Sequence, residues 1–303
     1  MFALHDLKSQ QRSKYRSESP RASPRAFSAG AHSNSGQSSS ASPSQVTQPD
    51  VVEDEYDLME EALRIALRRV DGELREISRN ETTMFSTILT RNGCDSRLID
   101  YGTTVNCLVS DGEHIVVLNV GDSRCILVEG FHDDANGQKW KWTHRAVSSD
   151  HNPVLRQDEV DRVCGDNGKF HVQGQEMRLF PKGLSFKEAR RKGLAINMSR
   201  AVGHSTLCNH GLVAEPEVYR IAVEEDHEYI FVMASDGVWD VMGNGEVFDV
   251  VQQICSSSMH DQTETTVEEE IAVEVMETAE KKWSKKRVGD NVSVVVTRIV
   301  GRN

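Results

Sequence analysis

The sequence predicts an α+β fold in which antiparallel strands form layers and the helices lie outside them. Three observations carry this expectation. Short β-branched and aromatic runs recur between turns that pair Asp with Gly, as at Asp111-Gly112 and Gly121-Asp122. Segments with a helical apolar period gather at the two ends of this strand-rich body instead of alternating with strands. No internal repeat competes with the reading.

Taken in order, residues 1–50 are rich in Ser, Pro, Gly and Gln and poor in large apolar side chains. Such a composition buries too little surface to offset chain entropy, so a disordered tail is expected. Residues 51–303 then hold one domain. The tail is net +3 and the remainder −15, which gives the −12 of the whole chain. Residues 56–77 place Leu58, Ala62, Ile65, Ala66, Leu67, Val70 and Leu74 on a helical period, and a shorter helix follows over 81–90, ended by Asn92-Gly93. Strands are predicted over 103–109, 114–120 and 124–129, joined by two hairpin turns. Residues 131–138 read as a polar loop and 139–146 as a further strand.

Asn152-Pro153 starts a helix that runs to about Cys164. The basic stretch from about 165 to 192 carries no clear period and is expected to form an irregular, mobile flap. Residues 218–223 and 229–234 return to the strand pattern, and 246–254 and 267–283 to the amphipathic helical one. The run 292–300 is apolar at nearly every position, which predicts a central strand.

Composition narrows the function. An acidic body argues against non-specific nucleic-acid binding and suits cations or basic partners. The six cysteines lie at scattered positions with no metal-like spacing and no secretory signal ahead of them, which points to reduced thiols in the cytoplasm or nucleus. No apolar run approaches the length of a membrane span. Arg12, Arg16, Arg21 and Arg25 among serines loosely resemble an organelle transit peptide, although the apolar helical face of such peptides is weak here.

The chemistry centres on residues 229–240. A buried strand ends at Asp236-Gly237, which sets a carboxylate on rigid backbone at a sheet edge, with Asp240 four residues on. An isolated Asp-Gly is an ordinary turn. Here it has company: Asp122 occupies another turn, and Asp290 directly precedes the last strand region. Carboxylates at neighbouring strand ends repel one another unless a cation neutralises them. Sparse oxygen ligands suit Mg²⁺ or Mn²⁺ better than zinc.

Seven stretches, in this order, resemble the metal-dependent protein phosphatase family known as protein phosphatase 2C. They are Gly102-Thr103-Thr104, Asn119 through Arg124, Ser149-Asp150-His151-Asn152-Pro153, Leu194-Ala195 with Ser199-Arg200-Ala201, Ala214-Glu215-Pro216-Glu217-Val218, Ala234 through Asp240, and Asp290-Asn291. The resemblance covers about residues 56–300. It implies a four-layer αββα sandwich and hydrolysis of phosphoserine and phosphothreonine in phosphorylated proteins by water held between two Mg²⁺ or Mn²⁺ ions. It makes Asp236 and Asp290 metal ligands, and assigns Asp122 and Asp240 to a further, weaker metal position.

The family's opening features, a strand bearing Arg and an Asp-Gly-His-Gly-Gly turn, are absent. The chain is therefore expected to lack the first strands of the domain, to expose sheet edges, and to bind metal weakly. A catalytically inactive phosphoprotein-binding relative is the alternative reading. His204 stands where the family pattern has Asp; a lone His is more often structural than a ligand. No cysteine carries the Cys-x₅-Arg spacing of a catalytic thiol. The basic cluster 281–287 reads first as a helix C-terminal cap and second as an import or phosphate-docking patch. The flap cations Lys182, Lys187, Arg190, Arg191 and Lys192 could steer phosphorylated substrate or simply be solvated, and Ser19-Pro20, Ser23-Pro24 and Ser42-Pro43 are candidate phosphorylation points.

Overall fold

A computed structural model describes residues 50–91, 100–132, 140–166, 168–257, 266–286 and 289–301. The tail up to residue 49, with its transit-like arginines and Ser-Pro sites, lies outside the described residues, as do Asn92, Gly93 and Cys94.

The strands in chain order are β1 (Gly102–Thr103), β2 (Val105–Ser110), β3 (His114–Val120), β4 (Arg124–His132), β5 (Trp140–Ala146) and β6 (Gly168–Gln173). They continue as β7 (Glu176–Pro181), β8 (Val202–Gly203), β9 (Glu217–Ala222), β10 (Glu228–Ala234) and β11 (Val294–Val300). The helices are α1 (Asp50–Arg91), α2 (Gln157–Gly165), α3 (Phe186–Arg191), α4 (Asp236–Trp239), α5 (Asn244–Ser257) and α6 (Val267–Lys286). One sheet runs β11-β10-β4-β5 and the other β2-β3-β9, all neighbours antiparallel.

The expected four layers are present. Between the sheets, Ile115 and Val117 of β3 meet Leu127 of β4 and Phe231 of β10, all with no exposed surface. On the far side of the four-stranded sheet, Ile126, Val128, Ile230 and Val232 receive Val247 and Val251 of α5 and Ile271, Val275 and Ala279 of α6. The i, i+4 spacing of these helix residues presents one apolar stripe to the sheet. On the other side, Leu67 of α1 packs on Leu118 and Val120. Strand alternation thus divides β3 and β4 between two cores.

Several expectations are corrected. Residues 56–77 and 81–90 belong to one 42-residue helix, because no strong breaker interrupts the sequence between them. Its packed stripe is Tyr56, Leu63, Leu67 and Leu74, while Leu58, Ile65 and Val70 face outward. The helix carries more apolar side chains than its contacts with β3 and β8 cover. Gly121-Asp122 is not a hairpin: β3 and β4 pair in different sheets, and Gly121, at φ +107°, lets the chain pass from one to the other. The run 292–300 yields an edge strand, paired only with β10; Val295 is 57 % and Val300 53 % exposed. Its apolar run therefore marked β-propensity and one packed face, not two-sided burial.

The stretch expected to be irregular contains the β6–β7 hairpin and α3, which Ser185 opens with a capping box to Glu188. Leu179, Phe180, Ala189 and Leu194 close a core of their own beneath it. The helix expected from Asn152 starts at Gln157, because Asn152 instead makes a turn whose side chain accepts from the Val154 amide at 2.9 Å. No helix among the described residues is long and apolar enough to cross a membrane.

Candidate metal-binding corner

β10 carries the first carboxylate to the sandwich rim. Tyr229 to Val232 are buried, so the strand end is held from both faces. Ser235 then stitches it to the segment before β11. Its amide donates to the Ser293 carbonyl (3.0 Å), its Oγ donates to the Asn291 carbonyl (3.1 Å), and that Oγ accepts from the Ser293 amide (3.1 Å). Asp236 and Asp290 are therefore fixed relative to one another by backbone. Gly237 is required at this seam, because a Cβ there would collide with the Asn291 carbonyl. Trp283 of α6 donates from Nε1 to the Gly237 carbonyl at 2.6 Å. The single turn of α4 brings Asp240 over the same cleft, with its amide donating to the Asp236 carbonyl at 2.8 Å.

The second sheet supplies Asp122 at the crossing between β3 and β4. The His151 amide donates to the Gly121 carbonyl (2.9 Å), and the His151 ring Nδ1 lies 3.0 Å from the Gly121 amide. Arg124 grips Asp150 with two bonds, Nε to Oδ1 at 2.9 Å and Nη2 to Oδ2 at 2.6 Å. Its third nitrogen donates to Asn244 at 2.8 Å, and its guanidinium lies 5.1 Å from the Trp239 ring centre. Asn197 donates to Asp122 Oδ2 at 3.3 Å. Asp122, Arg124, Asp150, Asn197, Asp236 and Asp240 line one cleft.

The electrostatics are those of crowded anions. Burial, reinforced by Asp236 and Asp150, pushes Asp122 up to about 7. Burial followed by Asp290 raises Asp236. Burial followed by Asp236 and Asp290 raises Asp240, with Lys286 opposing. Each shift reports a carboxyl group whose ionised form is poorly solvated and repelled by its neighbours, and a cation would relieve all three. Among the described residues, no three of these carboxylates bring oxygens within 4.8 Å of one another. The donor set therefore fits a hydrated hard cation held largely through its waters, as Mg²⁺ permits, and not a tight cage.

Three predicted residues thus share the cleft, and Asp290 stands beside Asp236 as a neighbouring charge. Asp150, Arg124 and Asn197 received no role in the sequence reading. Asp150 and Arg124 lay inside stretches that carry the resemblance, and an Arg next to an acidic turn was the available signal. His204 is structural: it sits at φ 53° with its ring against Gly102 and Nδ1 3.5 Å from the buried Asp100 carboxylate. Burial raises the Cys107, Cys125 and Cys255 thiols, the last to about 11, which suits inert packing. Lys282 donates to the Val241 carbonyl (3.0 Å) and Lys286 to the Asp240 carbonyl (3.3 Å), so the described part of the basic cluster anchors the end of α6 to this turn. Lys182, Lys187, Arg190 and Arg191 are exposed.

Behind the cleft lies a buried ionic layer. Glu159, 2 % exposed, accepts from Arg200 and Arg162 at 2.6 Å each and from Ser199 at 2.7 Å. Arg156 joins Glu217 at 2.8 Å, and Glu217 lies 3.6 Å from His151 Nε2. The layer reaches the corner through His151.

The sequence profile of the family Protein phosphatase 2C matches residues 8–288. Probable protein phosphatase 2C 48 of Oryza sativa subsp. japonica is 30% identical over 234 residues, covering 77% of this chain and 56% of that protein. Probable protein phosphatase 2C 73 of Arabidopsis thaliana is 32% identical over 197 residues, 64% of this chain and 47% of the relative. The chain thus spans about half the length of these relatives. The crystal structure of serine-threonine phosphatase 2C from Toxoplasma gondii aligns with a TM-score of 0.59 at 19% identity, over 84% of this chain and 71% of that one, a likeness of fold. Family profile, relatives and layered architecture agree, and the chain belongs to the protein phosphatase 2C family.

Proposed function

We propose that the chain is a protein serine/threonine phosphatase of the 2C type whose substrates are phosphorylated proteins, and that Asp236, Asp290, Asp122 and Asp240 hold its Mg²⁺ or Mn²⁺. The observation that supports this best is the convergence of Asp122, Asp236 and Asp240, from two different sheets, on one cleft. When bound, such ions acidify water and neutralise phosphoryl oxygens. The chain's own residues do the rest. Ser235 and Gly237 fix the spacing of Asp236 and Asp290, and Arg124 pins Asp150 in the wall of the cleft while reaching Asn244 and Trp239. Asn197 orients Asp122.

The spread of the carboxylate oxygens favours weak metal binding, and so a second reading: a relative without turnover that binds phosphoproteins. One experiment separates the two. Hydrolysis and binding of a phosphothreonine peptide are followed with and without Mn²⁺, for the chain and for Asp236→Asn. Manganese-dependent turnover lost in the variant supports the phosphatase. Binding without turnover supports the second reading, and neither binding nor turnover refutes both.

A further inference from the structure

His114 opens β3, at the opposite end of that strand from Asp122, which follows its last residue. The seven extended residues of β3 alone span about 20 Å, so the surroundings of His114 are independent of the acidic corner. The imidazole is 6 % exposed and lies edge-on to Tyr56, with ring centres 4.6 Å apart. Its Nδ1 lies 3.2 Å from Glu55 Oε2 and 3.2 Å from Asp111 Oδ2. Ligand atoms of Glu55, Glu113 and His114 lie within 4.8 Å of one another.

We propose that Glu55, Glu113 and His114, with Asp111 bracing the imidazole, form a binding site for a borderline transition-metal cation of the zinc class, clipping the start of α1 to the β2–β3 turn. A ring nitrogen carries at most one hydrogen, so it cannot serve two carboxylates at once. The contact to Asp111 is a long hydrogen bond, which leaves the one to Glu55 without a hydrogen of its own; both distances are 3.2 Å. The Glu55 distance matches the separation of two ligand atoms around a tetrahedral ion with bonds of about 2.0–2.1 Å, which is about 3.3 Å. The turn is already set for the purpose: Asp111 Oδ1 accepts the Glu113 amide (2.9 Å) and the His114 amide (2.7 Å), which leaves Oδ2 for the imidazole. A buried imidazole among the donors selects zinc or cobalt over magnesium. An open cleft lined by Asp111, Glu113, His114 and Val300 gives an ion access. Glu55 comes from a helix far away in sequence, so the ion would add a bond between α1 and the β2–β3 turn to the packing of Tyr56 and Leu67 on β3.

The test uses the full chain carrying Asp236→Asn and Asp290→Asn, which disables the acidic corner. Zinc is titrated against a chromophoric chelator, and cobalt is followed by its visible spectrum. The expected result is one zinc equivalent, weakened about tenfold or more by Glu55→Gln or Glu113→Gln, and a cobalt spectrum without thiolate charge-transfer absorption. Both glutamates are exposed, so these variants keep the fold, which circular dichroism checks, whereas His114→Gln risks unfolding. Absence of a zinc equivalent, an equivalent indifferent to both glutamate variants, or a thiolate band would each overturn the proposal.

Discussion

Gly237→Ala tests the seam that aligns Asp236 with Asp290. The new methyl would meet backbone, the Asn291 carbonyl oxygen and, at 2.9 Å, its carbon, with no flexible side chain to yield. Relieving the clash pushes residues 290–292 away from α4. Overpacking of this kind costs about 1–3 kcal/mol. Displacement also stretches the bond from Ser235 Oγ to the Asn291 carbonyl and the bond from Trp283 to the Gly237 carbonyl. Each is worth about 1 kcal/mol net, so a loss of about 3 kcal/mol is expected. Urea unfolding followed by tryptophan fluorescence measures it, since Trp239 and Trp283 both report on this turn. A manganese titration under folding conditions should also show weaker affinity, because the Asp290 segment moves with the seam. Gly245→Ala in α5 is the control: nothing lies within 4 Å of its added methyl, and stability should hold or rise. If Gly237→Ala matches that control in both urea midpoint and manganese affinity, the backbone seam does not position the site.

Glu159→Gln should lower stability by about 3–5 kcal/mol in the same urea assay, because Arg162 and Arg200 lose the carboxylate they share. Asp122 keeps its proton in the folded, metal-free protein up to about pH 7, whereas the unfolded chain loses it near 3.8. Deprotonation therefore favours unfolding, and stability should fall as pH rises through that window; Asp122→Asn should flatten the slope in denaturation curves taken from pH 4.5 to 8. Glu217, lowered to about 2, works in the opposite sense: its contribution is present above the unfolded value of 4.5 and is lost as pH falls toward 2, a limb that Glu217→Gln should remove. Arg124→Lys keeps the charge but loses the paired geometry to Asp150 and the bond to Asn244; a loss of about 1.5–3 kcal/mol with weaker manganese binding is expected, checked by urea unfolding and calorimetry.

Local chemistry announced most of the strands and helices. The Asp111-Gly112 turn, the buried run ending at Asp236 and the apolar periods of α5 and α6 each satisfy a short-range rule, and each was found near its place. What escaped was decided by partners distant in sequence. Gly121-Asp122 has the composition of a hairpin tip, but whether the next strand pairs beside β3 or crosses to the other sheet depends on β10, more than a hundred residues on. The apolar residues 292–300 suggested a centre because propensity says nothing about whether a further neighbour exists. In α1 the periodic apolar set was real, yet the sheet covers only the line through Leu63, Leu67 and Leu74, and Leu58 and Ile65 are left in water. The site divides the same way. Asp122, Asp236 and Asp290 stand beside glycines and could be picked out singly, whereas the Arg124–Asp150–Asn244 bracket joins three separate segments, of which only Arg124, beside its acidic turn, carries a local signal.

The spacing of the corner's carboxylates is a property of strand pairing. Asp122 reaches the cleft from the end of β3, and Asp236 from the end of β10, strands that share no hydrogen bond and touch only through side chains such as Val117 and Phe231. Within the four-stranded sheet, Asp236 and Asp290 are locked by Ser235, and their repulsion is fixed at a short separation. Asp122 is nevertheless tied to that same sheet: β4 begins two residues later, and its Arg124 stands in register with Ala234, two residues before Asp236. A change in the apolar layer between the sheets should therefore leave both the Asp236–Asp290 pair and the Asp122–Asp236 spacing largely intact. Both spacings rest on backbone hydrogen bonds, so a methylene lost from the core between the sheets should cost stability before it disturbs the corner.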